Sequence, residues 1–168
     1  MKTLRLDHMA SGRWQKTVSY KDCGPFRFDL ESYNEFYNFT QGEYLPEVYS
    51  CVYTDEDTLE LEYEHIHSEI KFPPIVIDEK GSRFINKTIK KIALVIVPDF
   101  FRFSNQNSET QHFFDSDVYF HTDLKMDNFV ITPEGNPYLI DIDSMGWMPS
   151  HLLADLEIEY EVDRKSVV

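Results

Sequence analysis

Near the start of the chain, residues 3–8 (TLRLDH) and 13–20 (RWQKTVSY) alternate apolar and polar positions. A period of two puts every second side chain on one face of a strand, so both segments are predicted as strands around an Ala10-Ser11-Gly12 turn. The period then changes. In FDLESYNEFYNF, Leu30, Tyr33 and Phe36 or Tyr37 recur at helical spacing, which predicts a short amphipathic helix over residues 29–40. Gln41-Gly42 ends it, because glycine suits a left-handed cap. Two alternating segments follow, PEVYSCVY and TLELEYEHI, on either side of the acidic turn Thr54-Asp55-Glu56-Asp57. They read as a hairpin with Leu59, Leu61 and Tyr63 on one face.

The second half is less regular. Residues 66–82 hold Pro73-Pro74 and Lys80-Gly81 and read as a linker, while 83–103 carry apolar residues at helical spacing. A long helix is predicted there, kinked or ended by Pro98. The polar stretch 104–111 reads as a loop. Short strands are expected at DVYF, NFVIT and NPYLIDI, the last two joined by the turn Pro133-Glu134-Gly135-Asn136. HLLADLEIEYEVDRKSVV suggests a last helix and a frayed end. This order of separated strands and helices predicts an α+β class.

Composition narrows what such a domain does. The 168 residues include 16 Lys and Arg against 30 Asp and Glu, a net charge of −14. No basic stripe exists to grip nucleic-acid phosphates, and the charge opposes docking on anionic membranes. The longest apolar run, Ile92 to Pro98, is far short of the ~18–20 residues a membrane helix needs, and MKTLRLDHMASGRW has no apolar core of signal-peptide length. A cytoplasmic setting is expected, with Cys23 and Cys51 as ordinary thiols. The six histidines are scattered, so zinc is not expected.

Chemistry concentrates in HTDLKMDN (121–128) and YLIDID (138–143). Asp123, Lys125 and Asn128 share one short loop, and a hairpin over 129–140 returns the chain beside it to deliver Asp141. Asn128 and Asp141 would offer oxygens to a hard divalent cation; Mg²⁺ suits such a site, with phosphate and water completing its shell. Lys125 adds positive charge for a phosphoryl group. Asp123 remains to orient or deprotonate an attacking hydroxyl. Phosphoryl transfer needs these parts, since it is largely positioning and charge neutralisation.

HTDLKMDN resembles the catalytic loop H-R-D-L-K-x-x-N of the protein-kinase-like superfamily, with Thr122 in place of Arg, and LIDID stands where D-F-G stands, 18 residues after Asp123. The resemblance implies Asp123 as catalytic Asp, Lys125 as the lysine contacting the γ-phosphate, Asn128 and Asp141 as Mg²⁺ ligands, and His121 as a structural histidine. It also implies a strand Lys paired with a helix Glu. Lys16 shares a face with Trp14, Val18 and Tyr20 and lies 19 residues before Glu35; Lys21, ending VSYK, and Glu31 are the alternatives. LELEYEHI resembles the strand that leads to the hinge, so main-chain groups around Glu62, Tyr63 and Glu64 would meet the adenine edge.

The resemblance has gaps. Only Gly12 stands where a Gly-rich loop would be, and Asp141-Ile142-Asp143 replaces D-F-G. Asp143 could hold a second metal or cap the chain after the strand. No A-P-E motif follows, and residues 142–168 leave little room for a full C-terminal lobe. The expected fold is therefore a bilobal kinase-like domain over 1–168. Residues 1–64 would form a reduced N-lobe without a clear Gly-rich loop, and 65–168 a truncated C-lobe. The expected function is ATP- and Mg²⁺-dependent phosphotransfer to a hydroxyl of a small molecule or protein, with ATP and that acceptor as partners. The alternatives are a pseudokinase or kinase-derived interaction module, and an unrelated interaction domain using Phe100, Phe101, Phe103, Phe113 and Phe114 as an exposed stripe.

Overall fold

The computed structural model describes residues 1–67, 79–106 and 117–152. Its first half is a four-stranded antiparallel sheet with one helix. The strands are β1 (Lys2–His8), β2 (Arg13–Ser19), β3 (Val48–Tyr53) and β4 (Thr58–Glu64), in spatial order β1-β2-β4-β3. The turn between β1 and β2 closes with Met9 N–H donating to Arg13 C=O at 2.8 Å, and Gly12 there has φ 82°. The inward face of β2 and β4 carries Lys16, Val18, Leu59, Leu61 and Tyr63, all buried. The predicted alternation set this face; its one charged member belongs to the site described below.

Helix α1 (Leu30–Phe39) lies between β2 and β3. Asp29 caps it, its carboxylate accepting the Ser32 N–H at 3.0 Å. Gln41 and Gly42 both take positive φ beyond its C-terminus, and Gly42 N–H donates to Tyr37 C=O at 2.9 Å. Only glycine fits at 42, because a Cβ there would lie 2.6 Å from the Tyr37 ring. The buried face of α1 is Ser32, Tyr33 and Phe36, which leaves Glu31 and Glu35 exposed.

Helix α2 (Glu79–Lys91) begins inside the stretch expected as linker, of which 66–67 form no regular element and 68–78 lie outside the described residues. Pro98 does not end the long helix. A π turn, Ile92–Ile96, joins α2 to α3 (Val97–Gln106), and Val97 N–H donates back five residues to Ile92 C=O. Pro98 has no N–H to give, and in a regular helix its ring would meet the carbonyl four residues back. The wider turn just before it relieves both problems. Most of the predicted polar loop, the Phe113 and Phe114 positions and the expected tail helix fall outside the described residues.

Four short strands complete the fold. β5 (Asp117–His121) pairs antiparallel with β8 (Met145–Pro149), and β6 (Phe129–Ile131) with β7 (Pro137–Leu139). Strand β8 was not predicted. MGWMP holds a glycine and a proline and does not alternate, so its pairing with β5 decides its conformation. Gly146 is needed there, since a Cβ would meet the Phe26 ring at 2.6 Å.

Aromatic packing joins the halves. Phe36 of α1 stacks on Phe100 with centroids 4.7 Å apart and meets Phe103 and Tyr119 at 5.2 and 5.4 Å. Phe100 and Phe103 are thus core residues, and the expected exposed stripe does not form at these positions. Trp147 Nε1–H donates to Ser32 Oγ at 3.0 Å, tying β8 to α1. Leu139 N–H donates to Tyr44 C=O at 2.8 Å, which fixes β7 against the segment after α1. No helix among the described residues is long and apolar enough to cross a membrane. Phe36→Ala is expected to cost about 3–5 kcal/mol of stability, measured by denaturant unfolding, because it empties the centre of this cluster.

Candidate active site

The loop after β5 is built around two buried polar side chains. His121 is fully buried; its Nδ1 accepts the Asp123 N–H at 3.1 Å, and its Nε2 faces the Ile140 carbonyl at 3.0 Å. That pairing fixes Nε2 as the protonated nitrogen. Asn128, also buried, donates its amide to the Asp123 carbonyl at 2.6 Å and to the Asp123 carboxylate at 3.1 Å. Ile140 N–H donates to the Asn128 carbonyl at 2.9 Å. The hairpin therefore returns beside the loop, and Asp141 stands next to Asn128, as the spacing predicted.

Asp123 is held at its backbone while half of its side chain stays exposed. Lys125 Nζ lies 3.7 Å from the Asp123 carboxylate, with both side chains more than half accessible. They form a loose surface pair, free to exchange partners. Asp141 has φ 54°, a left-handed conformation that Asp tolerates better than most residues. It directly precedes the tight turn Ile142–Ser144.

Lys16 reaches this loop from β2. Its ammonium lies 2.8 Å from Asp143 and 3.2 Å from Asp141, and its side chain is 6% exposed. Burial alone would lower its pKa; the two carboxylates outweigh burial and hold it above the ordinary lysine value. The expected Lys16–Glu35 pair does not form. Glu35 and Glu31 lie on the solvent side of α1, because Tyr33 and Phe36 claim the inward side. Lys21 is exposed beyond the end of β2. Asp143 is buried against Lys16, so its side chain is neither a cap nor open to a second cation.

A cavity of about 310 Å³ opens beside Asp141, lined by Trp14, His65, Ile66, Val130 and Ile140 among others. A larger cavity of about 610 Å³, walled by Cys23, Phe26 and Trp147, contains none of the predicted site residues except the neighbouring Thr122. The smaller cavity therefore carries the functional reading. Glu62 does not meet it: its strand is hydrogen-bonded on both sides, opposite Gln15 and Ser50, and its carboxylate pairs with Arg13 at 3.2 Å. Glu64 does line the cavity, but its N–H is given to Glu47 C=O at 2.8 Å. The segment with main chain leaving the sheet is 65–67, beyond the residues expected as hinge. Sequence reasoning placed Trp14 on the face of Lys16 but gave it no role, and it missed His65, whose ring lies 5.4 Å from that of Trp14 and is joined to it through the indole N–H, and His8, 4.6 Å from His65.

The donor set fits a magnesium ion bound together with phosphate. The Asn128 amide donates to Asp123, which leaves its oxygen for a cation, and Asp141 adds a partly exposed carboxylate. Among the described residues no group of three His, Cys, Asp or Glu could hold a metal alone. Two oxygen ligands plus ligand phosphates are nevertheless a common Mg²⁺ arrangement.

No family model matches the chain, and no curated protein matches it. Among solved structures it is similar to the kinase PK-1 of Cydia pomonella granulovirus, at 14% identity and a TM-score of 0.47. The likeness covers 85% of this chain and 52% of that one, so this chain spans about half the length of that structure.

Burial holds the His121 imidazole below its ordinary 6.5. The unfolded chain therefore takes up this proton first as pH falls, and stability present above about 6.5 is lost below it. Melting temperatures from pH 7.5 to 5.5 should fall more steeply for the wild type than for His121→Gln, with this site contributing at most about 1.4 kcal/mol per pH unit.

Proposed function

We propose that the chain is a reduced kinase-like phosphotransferase that moves the γ-phosphoryl group of Mg²⁺-ATP to a hydroxyl. The observation that carries this reading is convergence. Asn128 is hydrogen-bonded to Asp123, Lys16 is ion-paired with Asp141, and the Ile140 N–H on the Asn128 main-chain carbonyl brings the two pairs together beside a cavity that Asp141 lines. In this reading residues 1–64 form one lobe and the remainder a second, with the base in the cavity near 65–67.

The reading assigns each residue a role. Asn128 and Asp141 would hold Mg²⁺, which when bound would supply charge neutralisation for the phosphates. Lys16 presents a buried ammonium within reach of the same phosphates. Asp123, fixed by His121 and Asn128 but exposed at its carboxylate, orients the acceptor hydroxyl and takes its proton. Lys125 exchanges Asp123 for the phosphoryl group as charge develops. The exposure of Asp123, more than half of its side chain, suits a small acceptor, or one that brings its own surface.

One observation favours a second reading. The Trp14 indole, bonded to His65 and stacked on His8, occupies part of the cavity wall. A binding module with little catalysis would be built this way. Thermal unfolding with and without ATP and Mg²⁺ separates the two. A ligand at about 100 times its Kd adds about 2.7 kcal/mol. A Mg²⁺-dependent shift, lost in Asp141→Asn, together with ATP turnover reduced roughly 10²–10⁴-fold in Asp123→Asn, is the expected result. No shift in either protein would leave the binding-module reading.

A further inference from the structure

A strand lysine needs a fixed carboxylate to hold it at a phosphate site, and the helix glutamates expected for that task are exposed on the far side of α1. The inward face of α1, Ser32, Tyr33 and Phe36, has nothing ionic to offer. The Lys16 ammonium instead meets two carboxylates that differ in burial: the Asp143 side chain is 5% exposed and the Asp141 side chain 41%. We propose that Asp143, and not a glutamate of α1, is the residue that positions Lys16 in the cleft, leaving α1 without an ionic part in the site.

Asp143 is clamped at both ends by the β2 region. Its side chain accepts from Lys16 at 2.8 Å, and its main-chain carbonyl accepts the Tyr20 hydroxyl at 2.7 Å. The turn carrying it is closed by Ser144 N–H donating to Asp141 C=O at 3.0 Å. The Ser144 carbonyl in turn accepts both the N–H and the hydroxyl of Thr122, each at 2.8 Å, beside the catalytic loop. Position 143 is therefore more tightly fixed than a glutamate on a helix surface could be.

The difference in burial divides the work. A buried ammonium cannot stand without an anion. If Asp141 were the only partner, a cation arriving at Asp141 would leave Lys16 uncompensated. With Asp143 behind it, Asp141 is free to turn to a cation while Lys16 stays anchored. Lys16 is thus held against Asp141, which lines the cavity, by the same turn that presents Asp141, so no movement of α1 is needed to complete the site. This deepens the reading of the cleft as a nucleotide site and rests on it for the ligand, though not for the pairing.

The pairing is tested without nucleotide, by NMR detection of the slowly exchanging Lys16 ammonium on the whole chain, assigned by its loss in Lys16→Met. The signal should persist in Glu35→Gln and vanish in Asp143→Asn. Persistence in Asp143→Asn, or loss in Glu35→Gln, would overturn the proposal. If Asp143→Asn does not fold, the double variant Lys16→Met/Asp143→Leu decides, because removing both buried charges should raise the melting temperature above that of Lys16→Met. A double variant less stable than Lys16→Met would count against the pair. Affinity for a fluorescent ATP analogue in EDTA gives the separate readout of the site. Asp143→Asn should weaken it roughly tenfold or more, as Lys16→Met does, and Glu35→Gln should leave it unchanged. No analogue binding by the wild type, with the ammonium results as expected, would refute the nucleotide reading alone; binding unaffected by Asp143→Asn would refute the positioning role.

Discussion

An ammonium group can be kept from water only where anions meet it, and much of this fold is arranged around one such meeting. Lys16 lies on the inward face of β2, where its neighbours Val18, Leu59 and Leu61 exclude solvent. Its partners lie 125 and 127 residues further on. The sheet and the loop after β7 must therefore be brought into contact at one point, with little tolerance. The hydrogen bond from Leu139 to Tyr44, the Tyr20 hydroxyl on Asp143 and the Trp147 indole on Ser32 all hold that contact. Aromatic packing around Phe36 supplies the apolar area that offsets its cost.

The loop that bears Asp123 uses a different device. Its order comes from neutral hydrogen-bonding groups, an imidazole and an amide, both buried: the imidazole bridges the Asp123 N–H and the Ile140 carbonyl of the neighbouring hairpin, and the amide donates to Asp123 within the loop. Charge is left at the rim, on Asp123 and Lys125, where it can respond to a ligand. A buried neutral scaffold beneath exposed charges keeps geometry and reactivity separate, since altering the rim need not disturb the support.

Elements whose local chemistry and environment agree were readable from the sequence. Helix α1 has a cap, an apolar stripe and a glycine stop; strand β4 has a clean alternation; the loop from His121 to Asn128 carries side chains that bond within the loop or to the next hairpin. What was not readable depends on distant partners. Strand β8 contains Gly146 because Phe26 presses on it, and no local pattern records that pressure. The partner of Lys16 could not be chosen by spacing alone, because spacing says which residues could lie on α1 but not which face of α1 the aromatic core would claim. The limit of β4 mattered as well: whether the main chain at Glu62 is free depends on the strands either side of it, which a one-strand reading does not count.

The π turn before Pro98 has a consequence for how this chain can vary. One such turn shifts everything after it by one residue relative to a continuous α-helix, which is about 100° of rotation about the axis. Phe100 and Phe103 face Phe36 only with that offset in place. Were 92–96 to wind as regular α-helix with no residue removed, both rings would swing out of the core although no core side chain had been lost, whereas removal of one residue together with the wide turn would leave them in phase. Positions 92–96 thus act as a phase setting, in which the width of the turn and the number of residues compensate each other, while Ile92 and Ile96 remain part of the core.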